Sequence, residues 1–187
     1  MLIYAHGFNS SRASAKAQQL LRYFTEAGEP DAVMCPTLPY RPKDAVDMLA
    51  GMIQSAMQSS ASVRLTGSSL GGFYATWLAH RFDIKAIAIN PAVHAQHLLA
   101  DAIGEHKNYS SGEIYQFTRQ HLDELAEFDL PKITKPEKIL LMVETGDEVL
   151  DYRQAVDYYA GCRQIVVEGG DHGFRSFAQH IPTILAF

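Results

Sequence analysis

The segment from Val63 to Phe82 constrains the fold more than any other. A predicted strand, Val63-Arg64-Leu65-Thr66, leads into Gly67-Ser68-Ser69-Leu70-Gly71-Gly72, and Phe73, Trp77 and Leu78 follow at helical spacing. A chain that passes from strand to helix across G-x-S-x-G turns sharply at the central serine. The positions two before and two after that serine must carry no side chain in the way, and glycine at both meets the need. Ser69 has glycine at both places, whereas the rival Ser68 has Thr66 and Leu70 there. A helix starting at the serine also aims unpaired N–H groups and positive dipole at any negative charge that develops beside the hydroxyl. Ser69 is therefore a candidate nucleophile. A Gly/Ser-rich turn without chemistry, or one that cradles a phosphate, has a similar composition, so the wider sequence has to decide.

Short apolar runs alternate with amphipathic stretches along the chain. Strands are predicted at 2–5, 32–35, 62–66, 86–90, 139–143 and 164–167, and helices at 14–27, 42–59, 69–81, 151–159 and 176–187. Gly28 and Pro30 end the first helix, and Pro42 starts the second. Such alternation predicts an α/β three-layer sandwich around a mostly parallel six-stranded sheet. The near-continuous apolar strands suit it, because parallel strands are buried on both faces. The stretch 91–136 breaks the rhythm. It is more polar and holds His94, His97, His106 and His121. It reads as a small helical lid with helices near 94–102 and 111–128. A chain of 187 residues, 47% of them hydrophobic, is expected to form one domain over 1–187, with 91–136 as an insertion.

Composition removes several classes of function. Nine Phe, nine Tyr and one Trp are incompatible with a disordered chain. No run of about 18 apolar residues occurs, so membrane insertion is not expected. A net charge of −5 leaves no basic footprint for nucleic acid. Cys35 and Cys162 lack any CxxC spacing and read as reduced thiols. The opening apolar run is too short for a signal peptide and has no basic region before it, so a cytoplasmic location is expected. His94 and His97 lie three apart, yet no carboxylate or third ligand completes the pattern, and neither a metal nor a cofactor is expected.

A serine hydroxyl needs a base. In this plan the base follows the last strand, and VVEGGDHGF places His172 there, after Gly169 and Gly170. His80 and His180 fall in predicted helices. The acid belongs at the end of the preceding strand, where Gly146-Asp147-Glu148 offers Asp147 to orient the imidazole. Among its rivals, Glu144 lies in the strand, Asp151 suits a helix N-cap, Asp171 adjoins the histidine, and Glu148 is next along the turn. Two backbone N–H groups should stabilise an oxyanion, that of Leu70 after the nucleophile and that of Phe8 in the loop His6-Gly7-Phe8-Asn9-Ser10. His6 is expected to bond loop backbone. Asn9, with Leu98, Leu99 and Tyr115 from the insertion, completes the candidate substrate contacts.

With these residues in place, the chain resembles the α/β-hydrolase superfamily, and more narrowly the small bacterial YqiA-type esterases. The matching stretches are YAHGFNSS, GSSLGGFYATWLAHRF, INPAV, TGDEVLDYRQAVDYYAGCRQ and VVEGGDHGF. The resemblance implies a cytoplasmic carboxylesterase or acyl thioesterase that acts on a small-molecule ester or thioester through Ser69, Asp147 and His172, with no cofactor. It implies a trimmed α/β-hydrolase fold that lacks the first two strands of the full plan and orders its strands 2-1-3-4-5-6. Phe8 and Ser69 would then meet at the switch point of the sheet. The insertion sits where this superfamily carries a lid. Asp171 departs from the family pattern, which has a polar amide there. The same triad also serves peptidases and carbon–carbon bond hydrolases, and a non-catalytic acyl-binding module is the alternative of another class. Oligomeric state stays open.

Overall fold

The computed structural model describes residues 1–59, 62–108 and 112–187. The elements run β1 (Leu2–Ala5), α1 (Ala15–Glu26), β2 (Val33–Met34), α2 (Pro42–Gln58), β3 (Arg64–Ser68), α3 (Leu70–Phe82) and β4 (Lys85–Ile89). Then come α4 (Ala95–Leu98), β5 (Gly104–Lys107), β6 (Ile114–Phe117), α5 (Arg119–Glu127), β7 (Ile139–Glu144), α6 (Tyr152–Tyr158), β8 (Arg163–Val167) and α7 (Phe177–Ala186). Six strands form one sheet in the order β2-β1-β3-β4-β7-β8, parallel at every pairing. Counted within the sheet, this is the expected 2-1-3-4-5-6 order of an α/β-hydrolase fold.

Alternate residues of each strand feed two cores. Ile3, Leu65, Ala88, Leu141 and Val143 face the layer containing Leu49, Ile53, Leu78 and Tyr159. Leu2, Tyr4, Ile87, Leu140 and Met142 face Leu20, Phe24, Phe177 and Ile181 of α1 and α7. Each fully buried aliphatic side chain contributes about 1.5–3 kcal/mol, which fits the unbroken apolar run of β7 from Ile139 to Val143. Among the described residues no helix is long and apolar enough to cross a membrane.

The insertion corrects one expectation. In place of a helix over 111–128 the chain forms an antiparallel ribbon, with Gly104 opposite Phe117 and Lys107 opposite Ile114. Ser111, the expected helix start, lies outside the described residues. The cause is a period of two: Ile114 and Gln116 are exposed, Tyr115 and Phe117 buried. The insertion is therefore part ribbon and part helix. Helix α5 begins only at Arg119, after Thr118 donates its N–H to His121 Nδ1 at 3.0 Å. The first expected helix shortens to α4 and a separate turn of 3₁₀ helix at Ala100–Ala102.

Candidate active site

Strand β1 pairs with β3 so that Ala5 lies beside Gly67, and Ser68 lies beside Ile89 of β4. The loops after β1 and β3 consequently leave the sheet side by side. Ser69 stands between β3 and α3 at φ 55° and ψ −121°, a conformation costing on the order of 1–3 kcal/mol for a non-glycine residue. Its surroundings enforce it. Ser69 donates its N–H to Ile89 O at 3.0 Å, and its carbonyl accepts N–H groups from Gly72, Phe73 and Ala92 at 2.9, 3.2 and 3.1 Å. A Cβ on Gly67 would overlap the Gly71 carbonyl, and one on Gly71 would overlap the Ala5 carbonyl. Ser68 is the last residue of β3 and is buried.

His172 follows β8 on the loop that leads to α7. Its Nδ1 lies 2.8 Å from Asp147 Oδ2 and 3.0 Å from Oδ1, so the ring donates from Nδ1 and keeps Nε2 as an acceptor. Asp147 Oδ1 also accepts the N–H groups of Val149 and Leu150 at 2.9 and 2.8 Å. The Asp147 side chain is 1% exposed, against 23% for His172. Burial alone would push this carboxyl up. The His172 hydrogen bond and the N–H groups of Leu150 and Val149 outweigh it and hold Asp147 below the usual aspartate value.

Ser69 and His172 share one cleft of about 510 Å³ with Phe8, Leu70, Leu98, Leu99, Val149 and Leu150. Leu70 is the first residue of α3, so its N–H has no carbonyl to reach within the helix. A Cβ on Gly7 would fall 3.1 Å from Ser69 Cβ and 3.6 Å from Oγ, so the β1 loop passes directly beside the serine. His6 bridges backbone, with Nδ1 on Gly7 O at 2.9 Å and Nε2 accepting the Leu38 N–H at 2.8 Å.

The structure separates the four expected substrate contacts. Leu98 and Leu99 line the cleft. Asn9 and Tyr115 do not; they line a smaller neighbouring cavity and bind each other, with Tyr115 Oη donating to Asn9 Oδ1 at 2.7 Å. Polarity explains the change, because a buried phenol and amide satisfy one another before they meet solvent. His106 adds to the junction. Its Nε2 donates to Ala102 O at 2.6 Å, which leaves Nδ1 to accept from Asn9 Nδ2 at 3.4 Å. Phe8 packs edge-on against the rings of His106 and Phe117, and Tyr40 stacks on Tyr115 at 4.2 Å. Arg41 bonds Glu124 of α5 at 2.6 and 2.8 Å. The insertion is thus fastened to the β1 loop at one end and to the start of α2 at the other. Elsewhere, the carboxylate that the sequence pattern lacked for His94 is supplied by Asp129, 2.8 Å from Nδ1.

Sequence reasoning missed Lys16 and Asn90 beside the His172 loop, and weighed Glu144 and Glu148 only as rivals to Asp147, not as partners of the loop backbone. Asn90 directly follows β4. Glu144 is the last residue of β7 and is fully buried, accepting the N–H groups of Asp171, Arg175 and Ser176. The available signal was a carboxylate ending an otherwise apolar strand. Asp171, the departure from the family pattern, pairs with Arg175 Nε at 2.7 Å.

The model of the uncharacterised protein family UPF0227 matches residues 1–187. A UPF0227 protein of Yersinia enterocolitica is 24% identical over 193 residues, covering 100% of this chain and 98% of the relative. One from Pectobacterium carotovorum is 23% identical with the same coverage. Among solved structures, Est1E of Butyrivibrio proteoclasticus with ferulic acid bound matches with a TM-score of 0.68 at 13% identity, covering 100% of this chain and 89% of that one. A structure of the metagenome-derived lipolytic enzymes LipS and LipT gives 0.70 at 18%, covering 100% and 93%. Mouse alpha/beta hydrolase domain-containing protein 10 gives 0.64 at 17%, covering 99% and 86%.

Proposed function

The chain belongs to the uncharacterised protein family UPF0227, and we propose that it is a serine hydrolase that cleaves carboxylic esters or acyl thioesters through an acyl-enzyme on Ser69. The observation that carries this reading is the Asp147–His172 hydrogen-bonded pair opening onto the cleft where Ser69 stands at positive φ. In the first step His172 Nε2 takes the proton of Ser69 Oγ as the oxygen attacks the acyl carbonyl. Asp147 holds the ring in the tautomer that leaves Nε2 free and stabilises the imidazolium that forms. The N–H groups of Leu70 and Phe8 receive the oxyanion, each contributing on the order of 10²–10³ in rate. The leaving alcohol or thiol departs with the proton from His172. Water then repeats the sequence on the acyl-enzyme and releases the acid.

The apolar wall of Leu98, Leu99, Val149 and Leu150 suits an apolar acyl group. Esterase and lipolytic enzymes among the fold's neighbours support the reaction class. Both cysteines are free thiols, which fits a cytoplasmic location. The test is labelling of the purified protein with a fluorophosphonate probe, followed by a panel of esters and thioesters of graded acyl length. Labelling at Ser69 that Ser69→Ala and His172→Ala both abolish is the expected result. A folded protein that takes no label, and a Ser69→Ala variant that keeps its ester hydrolysis, each contradict the proposal.

A further inference from the structure

The backbone from Asp171 to Ser176 is held by side chains from distant parts of the fold. Glu144 supplies the anchor. Its Oε2 accepts the N–H groups of Asp171 and Arg175, both at 2.9 Å, and its Oε1 accepts the Ser176 N–H at 2.9 Å and hydroxyl at 2.7 Å. Asn90 Nδ2 donates to the carbonyls of Asp171 and His172 at 3.1 and 3.2 Å, while its Oδ1 accepts the Glu144 N–H at 3.0 Å. Glu148 Oε2 accepts the His172 N–H at 3.0 Å, and Lys16 Nζ donates to Gly173 O at 2.7 Å. Gly170 makes room for the arrangement, since a Cβ there would overlap Glu144 Oε2.

A loop on a protein surface ordinarily satisfies its backbone with water or with its own turns. A buried carboxylate is costly and is retained only where several donors meet it. Here four donors converge on Glu144, and hydrogen bonds to an ionised acceptor are roughly twice as strong as neutral ones. An apolar side chain would fill the same space without direction. The carboxylate fixes where each donor points, and those donors flank His172 on both sides.

We propose that Glu144, with Asn90 and Glu148, is the positioning device for His172. Glu144 fixes the loop before and after the histidine, Asn90 fixes the His172 carbonyl, and Glu148 fixes its N–H. Together they hold the imidazole between Asp147 and Ser69. This rests on the hydrolase reading above, in which His172 is the base. The three residues act through the backbone of the His172 loop, Asn90 and Glu148 on His172 itself and Glu144 on Asp171, Arg175 and Ser176. They also differ in what they tolerate. A glutamine at 144 would turn an amide NH₂ toward two donors, whereas a glutamine at 148 keeps an oxygen for the single N–H it must accept.

The experiment uses the full chain. It combines p-nitrophenyl butyrate hydrolysis, thermal melting and the low-field proton resonance of His172 Nδ1, which reports the bond to Asp147 independently of turnover. Glu144→Gln is expected to lower kcat about 10²-fold, as small misplacements of a reacting group do, with KM within about twofold and the low-field signal lost. Glu148→Ala should lower kcat about tenfold by the same cause, and Glu148→Gln should restore it. A folded Glu144→Gln protein with wild-type kcat and signal overturns the proposal. Where Glu144→Gln does not fold, the Glu148 pair decides, and wild-type kcat and signal in Glu148→Ala overturn it. Should the wild type hydrolyse no ester, the hydrolase reading fails and the resonance alone judges the positioning: its loss in the variants supports the device, and its persistence overturns it.

Discussion

Gly71 rests against the carbonyl of Ala5 so closely that a methyl group at its α-carbon would overlap that oxygen and crowd the carbonyl of His6 at 2.7 Å. The first turn of α3 is thereby locked to the end of β1, the strand that delivers Phe8. Gly71→Ala must push the two apart, which should cost about 3 kcal/mol as other overpacked sites do. Fluorophosphonate labelling should slow further than the lost stability accounts for. Gly51, inside α2 with open space around its α-carbon, is the contrasting site. Gly51→Ala should stabilise by about 1 kcal/mol. Equal melting temperatures for Gly71→Ala and wild type would contradict this account.

Asp147→Asn should lower kcat by about 10⁴, the loss seen when an amide favours the wrong histidine tautomer in another serine hydrolase. KM should change little, because Asp147 is buried behind His172 and does not line the cleft. Steady-state kinetics on one ester decides the matter, and retention of a tenth of the wild-type kcat would remove Asp147 from the role.

Tyr115→Phe deletes the hydroxyl that Asn9 Oδ1 accepts at 2.7 Å. Stability should fall by about 1 kcal/mol, the usual worth of such a bond. Asn9 is held at φ 55° next to Phe8, so kcat should fall as well, by about tenfold if one oxyanion donor is misaligned. Leu98→Ala, on the cleft wall, should instead change KM for the longer esters. The two signatures, kcat at Tyr115 and KM at Leu98, are read from the same assays. Interchanged effects would return Tyr115 to the substrate.

Stability should fall in acid through the buried carboxylates. Burial pushes Glu144 up, but the Ser176 hydroxyl and the N–H groups of Ser176, Asp171 and Arg175 outweigh it and hold the group below its ordinary 4.5. Between that depressed value and 4.5 the unfolded chain binds a proton that the folded chain does not. Glu144 therefore contributes its full stability above about pH 4.5 and loses it as pH falls through the folded value. Asp147 follows the same sign below 3.8. Urea unfolding at a series of pH values from 7 to 3 should give Glu144→Gln a shallower acid decline than the wild type. Parallel declines would show that Glu144 does not titrate with folding.

Much of this molecule could be read from its residues, and the reasons are local. Ser69 stood out because the two glycines beside it answer to steric demands a few residues away. The parallel sheet followed from apolar strands that need helices on both faces, and its strand order from the resemblance to the α/β-hydrolase plan. Asp147 and His172 came into view because each lies on the loop that follows a strand of that sheet. The ribbon of residues 104–107 and 114–117 was missed because its alternation is only four residues long on each strand and lies within a polar stretch. Asn9 and Tyr115 were taken for substrate contacts because residue type alone does not say which polar partner comes first. The support around His172 was out of reach for a different reason. Asn90 and Asp171 are 81 positions apart, and Glu144 and Asp171 are 27 apart, so only the folded sheet brings them together.

The attachment of the insertion has a bearing on how such a protein can be re-engineered. With Phe117 against Phe8, Tyr115 bonded to Asn9 and Glu124 on Arg41, the insertion is no interchangeable part. A chimera that borrows this segment from a relative would have to borrow the segments around residues 8–9 and 40–43 too, or leave the loop after β1 without its props. Under the proposed function, new substrate range is reached more readily by single changes along Leu98, Leu99 and Val149, which line the cleft, than by exchange of the whole insertion.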